Sequence, residues 1–322
     1  MTALTMQTLD VNGLRMQVTV QGSGPLVLLC HGFPELWISW RTQLDALAAA
    51  GYRAVAPDMR GYGGTSAPDD ATAYTQLHLV GDMVELVRAL KETQAVIVGH
   101  DWGAPVAWNA ALLRPDVFRA VVGMSVPYSP PGRVEMLSAL GQAGIHNFYL
   151  QYFQAPGVAE AELERDVGAS ISRIHFGASG EGQVLLGRSV FGAIEPGKGF
   201  LDYLVEPHSP PTWWRTADIA HYTTEFTRTG FRGGLNWYRN IKRSWELLAP
   251  WRGQVIRQPS MFIAGARDDV LKFPSSKPQL ENFNKTLPGL RGSHILEGAG
   301  HWIQRERAQQ VNSLLIDFLN GL

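Results

Sequence analysis

The chain reads as an α/β protein: a mostly parallel sheet flanked by helices, split by an inserted block of helices. Two patterns predict this. Short, unbroken apolar runs such as Leu26-Val27-Leu28-Leu29-Cys30 alternate with amphipathic stretches early in the chain and again near its end. Strands covered on both faces read as continuous apolar runs, and the helices between them are crossovers joining parallel neighbours. From Pro127 to about Trp251 the alternation stops, and helical sequence rich in aromatics replaces it.

Taken in order, Leu26 to Cys30 is a strand, and residues 40–50 form a helix ending at Gly51. Arg53-Ala54-Val55-Ala56 is the next strand, followed by the turn-rich Asp58-Met59-Arg60-Gly61-Tyr62-Gly63-Gly64. A helix over 77–91 leads to the strand Ala95-Val96-Ile97-Val98, a helix over 102–113 and the strand Ala120-Val121-Val122-Gly123-Met124. Pro130-Pro131-Gly132 then breaks the chain. The alternation resumes at Ser260-Met261-Phe262-Ile263-Ala264 and His294-Ile295-Leu296. In the last helix Ala308, Val311, Leu314, Leu315 and Phe318 share one face at helical spacing. The expected division is a core over 1–127 and 251–322 with a helical cap over 128–250.

Composition excludes several function classes. Of 322 residues 45% are hydrophobic, 18% charged and 10% aromatic, and 28 Lys and Arg against 29 Asp and Glu leave a net charge of −1. A nucleic-acid binder would carry a basic stripe, and a membrane-surface protein a polybasic segment. One cysteine, Cys30, rules out an internal disulfide framework and a cysteine zinc cluster. The nine histidines include no His-Glu-x-x-His pairing. Neither metal nor nucleotide cofactor is implied. Residues 1–11 do not read as a secretory signal, and no apolar run is long enough to span a bilayer, so a cytoplasmic location is expected.

Three residues sit where open α/β sheets place their sites, just after strands. Asp101 is the centre of Gly99-His100-Asp101-Trp102-Gly103, between a buried strand and a helix. Small-x-nucleophile-x-small suits a strained strand-to-helix turn that leaves its central side chain exposed. An Asp there is equally a helix N-cap, and the motif alone leaves both readings open. Asp268, in Ala264-Gly265-Ala266-Arg267-Asp268-Asp269, and His301, in Gly298-Ala299-Gly300-His301-Trp302, each have a bland structural reading too. Together their chain order, nucleophile then acid then histidine, is that of the α/β-hydrolases. His31-Gly32-Phe33-Pro34 follows the first strand, where the Phe33 amide can supply half an oxyanion hole and the Trp102 amide the other half.

With these motifs the chain resembles the soluble epoxide hydrolases of the α/β-hydrolase superfamily, including the hydrolase half of the vertebrate enzyme. The resemblance runs over nearly the whole chain. Within the insertion Tyr149-Leu150-Gln151-Tyr152-Phe153-Gln154-Ala155-Pro156-Gly157 resembles the first cap-tyrosine segment, and Asn236-Trp237-Tyr238-Arg239-Asn240 lies in the second. It implies Asp101, His301 and Asp268 as the triad and Tyr149 and Tyr238 as the ring-opening pair. Tyr152 competes with Tyr149, and Asp269 with Asp268. His31, Pro34, Trp37, Tyr152 and Trp302 are expected around the pocket, with His31 a structural residue. Packing is the default for the cap aromatics Trp214, Phe226 and Trp237.

The chemistry fits. An epoxide carbon is saturated, so its opening by a carboxylate yields an ester that water can hydrolyse, whereas a serine nucleophile would leave an inert ether. The expected partners are a small epoxide and water, with a homodimer left open. Haloalkane and fluoroacetate dehalogenases use the same aspartate logic and form the second reading. Phe33 in place of their usual Asn departs from the first group, and Trp102 in place of Arg from the second. A ligand-binding relative that has lost catalysis is the third, and the complete triad argues against it.

Overall fold

A computed structural model describes residues 3–322; Met1 and Thr2, which begin the N-terminal stretch considered above, lie outside them. Among the described residues eight strands form one sheet: β1 (Thr5–Val11), β2 (Leu14–Gln21), β3 (Leu26–Cys30), β4 (Arg53–Pro57), β5 (Ala95–His100), β6 (Phe118–Met124), β7 (Ser260–Gly265) and β8 (Leu290–Leu296). The order across the sheet is β1-β2-β4-β3-β5-β6-β7-β8. Pairing is parallel from β4 through to β8 and antiparallel only at the β1-β2 and β2-β4 edges. The unbroken apolar strands β3, β5 and β7 are buried along their whole length, whereas edge strand β1 alternates.

β1 and β2 had no counterpart among the predicted strands. Asn12-Gly13 joins them with positive φ at both residues (48° and 76°), and Asn-Gly is the dipeptide that favours such two-residue hairpin turns. The predicted strands are all present, β3 with the expected bounds and the rest extended by one to four residues where ladder pairing continues past the apolar run.

Three helices pack on the first part of the sheet: α1 (Arg41–Ala49), α2 (Gln76–Ala89) and α3 (Gly103–Leu113). Thr75 starts α2 by accepting a hydrogen bond from the His78 amide, as an N-cap residue should. Between β6 and β7 the chain is helical: α4 (Met136–Gln142), α5 (Tyr149–Tyr152), α6 (Val158–Leu163), α7 (Val167–Gly177), α8 (Gly180–Leu186), α9 (Thr216–Thr229), α10 (Arg232–Arg239) and α11 (Ile241–Leu247). This is the inserted cap. After β7 come α12 (Ser276–Glu281), α13 (Phe283–Thr286), α14 (Ile303–Glu306) and α15 (Ala308–Asn320). On α15 Val311, Leu315, Phe318 and Leu319 are buried, while Leu314 is only half covered. No helix among the described residues is long and apolar enough to cross a membrane.

The cap is tied down by polar as well as apolar contacts. His175 of α7 is sandwiched between Trp214 and Trp302, with ring centroids 4.7 and 4.3 Å away. Its Nε2 lies 3.1 Å from the Pro34 carbonyl, and Arg305 donates to its Nδ1 at 3.0 Å. Arg305 supplies only donors, so Nδ1 is bare and Nε2–H donates to Pro34. Asp269, fully buried, accepts from the Gln183 amide (2.7 Å), the Val190 N–H (2.6 Å) and Lys272 (2.8 Å).

Candidate active site

Asp101 stands at the tip of β5 with φ of 50°, in the left-handed region that costs a non-glycine residue strain. A side chain at Gly99 or Gly103 would overlap backbone oxygens of Gly103 and Cys30, so only glycine lets the elbow pack this tightly. The Asp101 carboxylate does not cap α3, which has no side-chain cap. Instead Oδ1 accepts a 2.7 Å hydrogen bond from the Phe33 amide in the loop after β3. Among the described residues no side-chain bond joins Asp101 to the Trp102 amide, the second expected donor.

Asp101 Oδ2 faces His301 Nε2 at 3.4 Å, longer than a good hydrogen bond. On the other side of the ring, Nδ1 lies 3.1 Å from Asp268 Oδ1. Asp268 is fully buried, and its Oδ1 also accepts from the Val270 amide at 3.0 Å. Burial disfavours an imidazolium at His301, but Asp268 and Asp101 outweigh it and hold the pKa well above the ordinary histidine value. Asp268 stays below the usual carboxylate range, because His301 and neighbouring donors overcome its burial. Asp269, one residue on, points to the cap as described and not to His301.

The two cap tyrosines approach from above. Tyr149 on α5 and Tyr238 on α10 are buried with ring centroids 6.2 Å apart. Burial, reinforced by the Asp101 charge, pushes both phenols well above their usual pKa, so they remain protonated donors. The Trp102 indole interacts with the Tyr238 hydroxyl, and Phe33, Phe153 and Phe191 close the surroundings.

The residues expected around the pocket have partners of their own. The Tyr152 hydroxyl donates to Glu162 at 2.7 Å, leaving Tyr149 as the phenol of that helix beside Asp101. His31 is buried, its Nε2 accepting from the Met59 amide (2.9 Å) and its Nδ1 donating to the Gly32 carbonyl (2.9 Å). That tautomer is neutral, and burial lowers its pKa to about 4. Pro34 meets His175, the Trp37 amide donates to Asp58 (3.0 Å), and Trp302 packs edge-on against His301 at 4.6 Å. Trp214 stacks on His175, Phe226 on Phe231, and the Trp237 indole donates to the Arg60 carbonyl at 3.0 Å.

Comparison with known proteins places the whole chain in a family. Residues 25–308 match the family model for the alpha/beta hydrolase fold. The chain is 44% identical to epoxide hydrolase A of Mycobacterium tuberculosis, covering 100% of this chain and 99% of that one. The chain belongs to the epoxide hydrolase family of α/β-hydrolases. The solved epoxide hydrolase from an endophytic Streptomyces superposes with a TM-score of 0.92 at 47% identity, over 99% of this chain and 96% of that one. Bifunctional epoxide hydrolase 2 of Mus musculus is 40% identical over 95% of this chain but only 54% of its own length.

Sequence reasoning missed a buried layer beneath the triad. His100 lies 2.7 Å from Glu35 Oε2 through Nδ1 and 2.8 Å from the His301 carbonyl through Nε2. Glu35 also accepts from the Gly32 amide and from Gln304, both at 3.0 Å. Burial works against its charge, but His100 overcomes this and holds Glu35 far below the usual carboxylate range. His100 thus lies between the Glu35 carboxylate and the His301 carbonyl, one at each ring nitrogen. The pair joins the elbow, the Gly32-Phe33 loop and the His301 loop. A histidine inside the elbow motif was the only sequence signal available for it.

Proposed function

We propose that this chain hydrolyses epoxides to vicinal diols through an ester on Asp101. Oδ1 is held by the Phe33 amide, so Oδ2 is the free nucleophile and attacks a ring carbon as the C–O bond breaks. Tyr149 and Tyr238 bind the epoxide oxygen, and one of them gives it a proton. Esterification removes the Asp101 charge, one of the forces keeping the proton on His301. The imidazolium therefore loses its proton as the phenolate regains one, and a base appears when it is needed. His301 Nε2, with Nδ1–H directed at Asp268, then takes a proton from water that attacks the ester carbonyl. The oxyanion forms on Oδ1 against the Phe33 and Trp102 amides. The diol departs with Oδ2, protonated from His301, and the Asp101 carboxyl then gives its remaining proton to His301, restoring the carboxylate and the imidazolium.

The observation that carries this reading is a carboxylate at the elbow, backed by an imidazole and covered by two buried, protonated phenols. The phenyl-lined surroundings suit an epoxide with apolar substituents. The test is to incubate the protein with an aryl epoxide and, separately, with a chloroalkane, and to quantify diol and halide. Diol without halide is expected. Halide without diol would transfer the same aspartate to dehalogenation and refute the tyrosine roles.

A further inference from the structure

Ser125 follows directly on β6, where its amide donates to the Ile263 carbonyl of β7 at 2.9 Å. Its φ is 68°, a left-handed conformation that a serine adopts at a cost, and it is fully buried. That backbone turns the hydroxyl under the triad: Oγ lies 3.0 Å from His301 Nδ1, which is also 3.1 Å from Asp268 Oδ1. Nδ1 bears at most one proton. A bare Nδ1 would set its lone pair against the ionised Asp268, so the proton is present and shared between Asp268 and Ser125 Oγ. Oγ is thus an acceptor and its own O–H remains to be given away. The neighbouring acceptor is Asp268, whose Oδ2 is buried without a well-aligned donor. Ser125 is among the groups that hold the Asp268 charge against its burial, alongside His301.

We infer that Ser125 is a positioning residue for the hydrolytic half-reaction, fixing the His301 tautomer through a triangle with Asp268 and completing the solvation of that carboxylate. The inference rests on the covalent-ester reading, because only there does one half-reaction need His301 as a base and the other not. No Asp or Glu lies between β6 and Glu135, so on this side of Nδ1 the partner is a hydroxyl.

The experiment is a cycle of wild type, Ser125→Ala, Asp268→Asn and the double variant in single turnover, following ester by intact mass and diol by chromatography. Ser125→Ala should alkylate within about twofold of wild type and hydrolyse its ester on the order of tenfold more slowly. Its hydrolysis should also need a higher pH, because Asp268, relieved of a donor, holds the imidazolium proton harder. In the Asp268→Asn background the same change should cost less than about twofold, since coupled groups are not additive. Equal slowing of both steps, an unmoved pH profile, or an undiminished loss in the Asp268→Asn background would overturn the inference. Ser125→Gly suits the φ of 68° and repeats the measurement if alanine costs the fold. Absence of ester in the wild type would strike the covalent reading itself, whereas ester in the wild type with a normal Ser125→Ala strikes only Ser125.

Discussion

Replacing Asp268 with asparagine removes one charge and almost no volume, and should separate the two half-reactions. Asp268 Oδ1 and His301 Nδ1 are 3.1 Å apart, both fully buried. At an effective dielectric of about 20, a carboxylate and an imidazolium at that distance attract by roughly 5 kcal/mol. Asparagine keeps a dipole and a hydrogen bond there, so about half to all of this is lost from the transition state in which His301 becomes positive. At 1.4 kcal/mol per factor of ten, ester hydrolysis should slow by roughly 10²- to 10⁴-fold. Alkylation uses Asp101 and the phenols and should change far less. In rapid-mixing experiments the Asp268→Asn protein should accumulate an adduct at the mass of protein plus epoxide, while diol release stalls. A folded variant that releases diol at near wild-type rate, or loses both steps equally, would refute the role assigned to Asp268.

Removing the two phenols acts on the other step. Tyr149→Phe with Tyr238→Phe should suppress alkylation by about 10²- to 10⁴-fold, with each single change costing less because the partner phenol remains; a double variant that forms ester at the normal rate would reassign both to packing. Acid should loosen the cap. Burial first, then Arg305, lowers the His175 pKa to about 3, below its unfolded value, so the stability from keeping it neutral is present above about pH 6.5 and is lost as pH falls toward 3. The melting temperature should therefore drop over that interval, and more gently in His175→Phe, which keeps the stack but does not titrate; identical slopes would contradict this.

What could be read from the sequence was what is local in the chain. Asp101, Asp268 and His301 each lie in a short motif directly after an apolar strand, so position along the chain implied position on the sheet. The supporting layer is not local: His100 meets Glu35 across 65 residues and His301 across 201, and Ser125 meets His301 across 176. No periodicity encodes such pairs. Neighbouring acids were equally opaque, because Asp268 and Asp269 differ only in which way a turn aims them, one at His301 and the other at the cap. The N-terminal hairpin was legible in principle from Asn12-Gly13, but β1 is largely exposed and carries no unbroken apolar run. Tyr152 shows the converse: aromatic type and nearness in sequence suggested the pocket, yet its hydroxyl is engaged by Glu162.

The central claim is that the diol takes an oxygen from Asp101 and that water attacks the ester carbonyl. One turnover in water labelled with oxygen-18, with enzyme in excess over epoxide, tests it directly. The account predicts an unlabelled diol and one labelled oxygen on the peptide containing Asp101. A labelled diol with unlabelled Asp101 would mean that water attacks the epoxide carbon itself, and the covalent mechanism would be wrong.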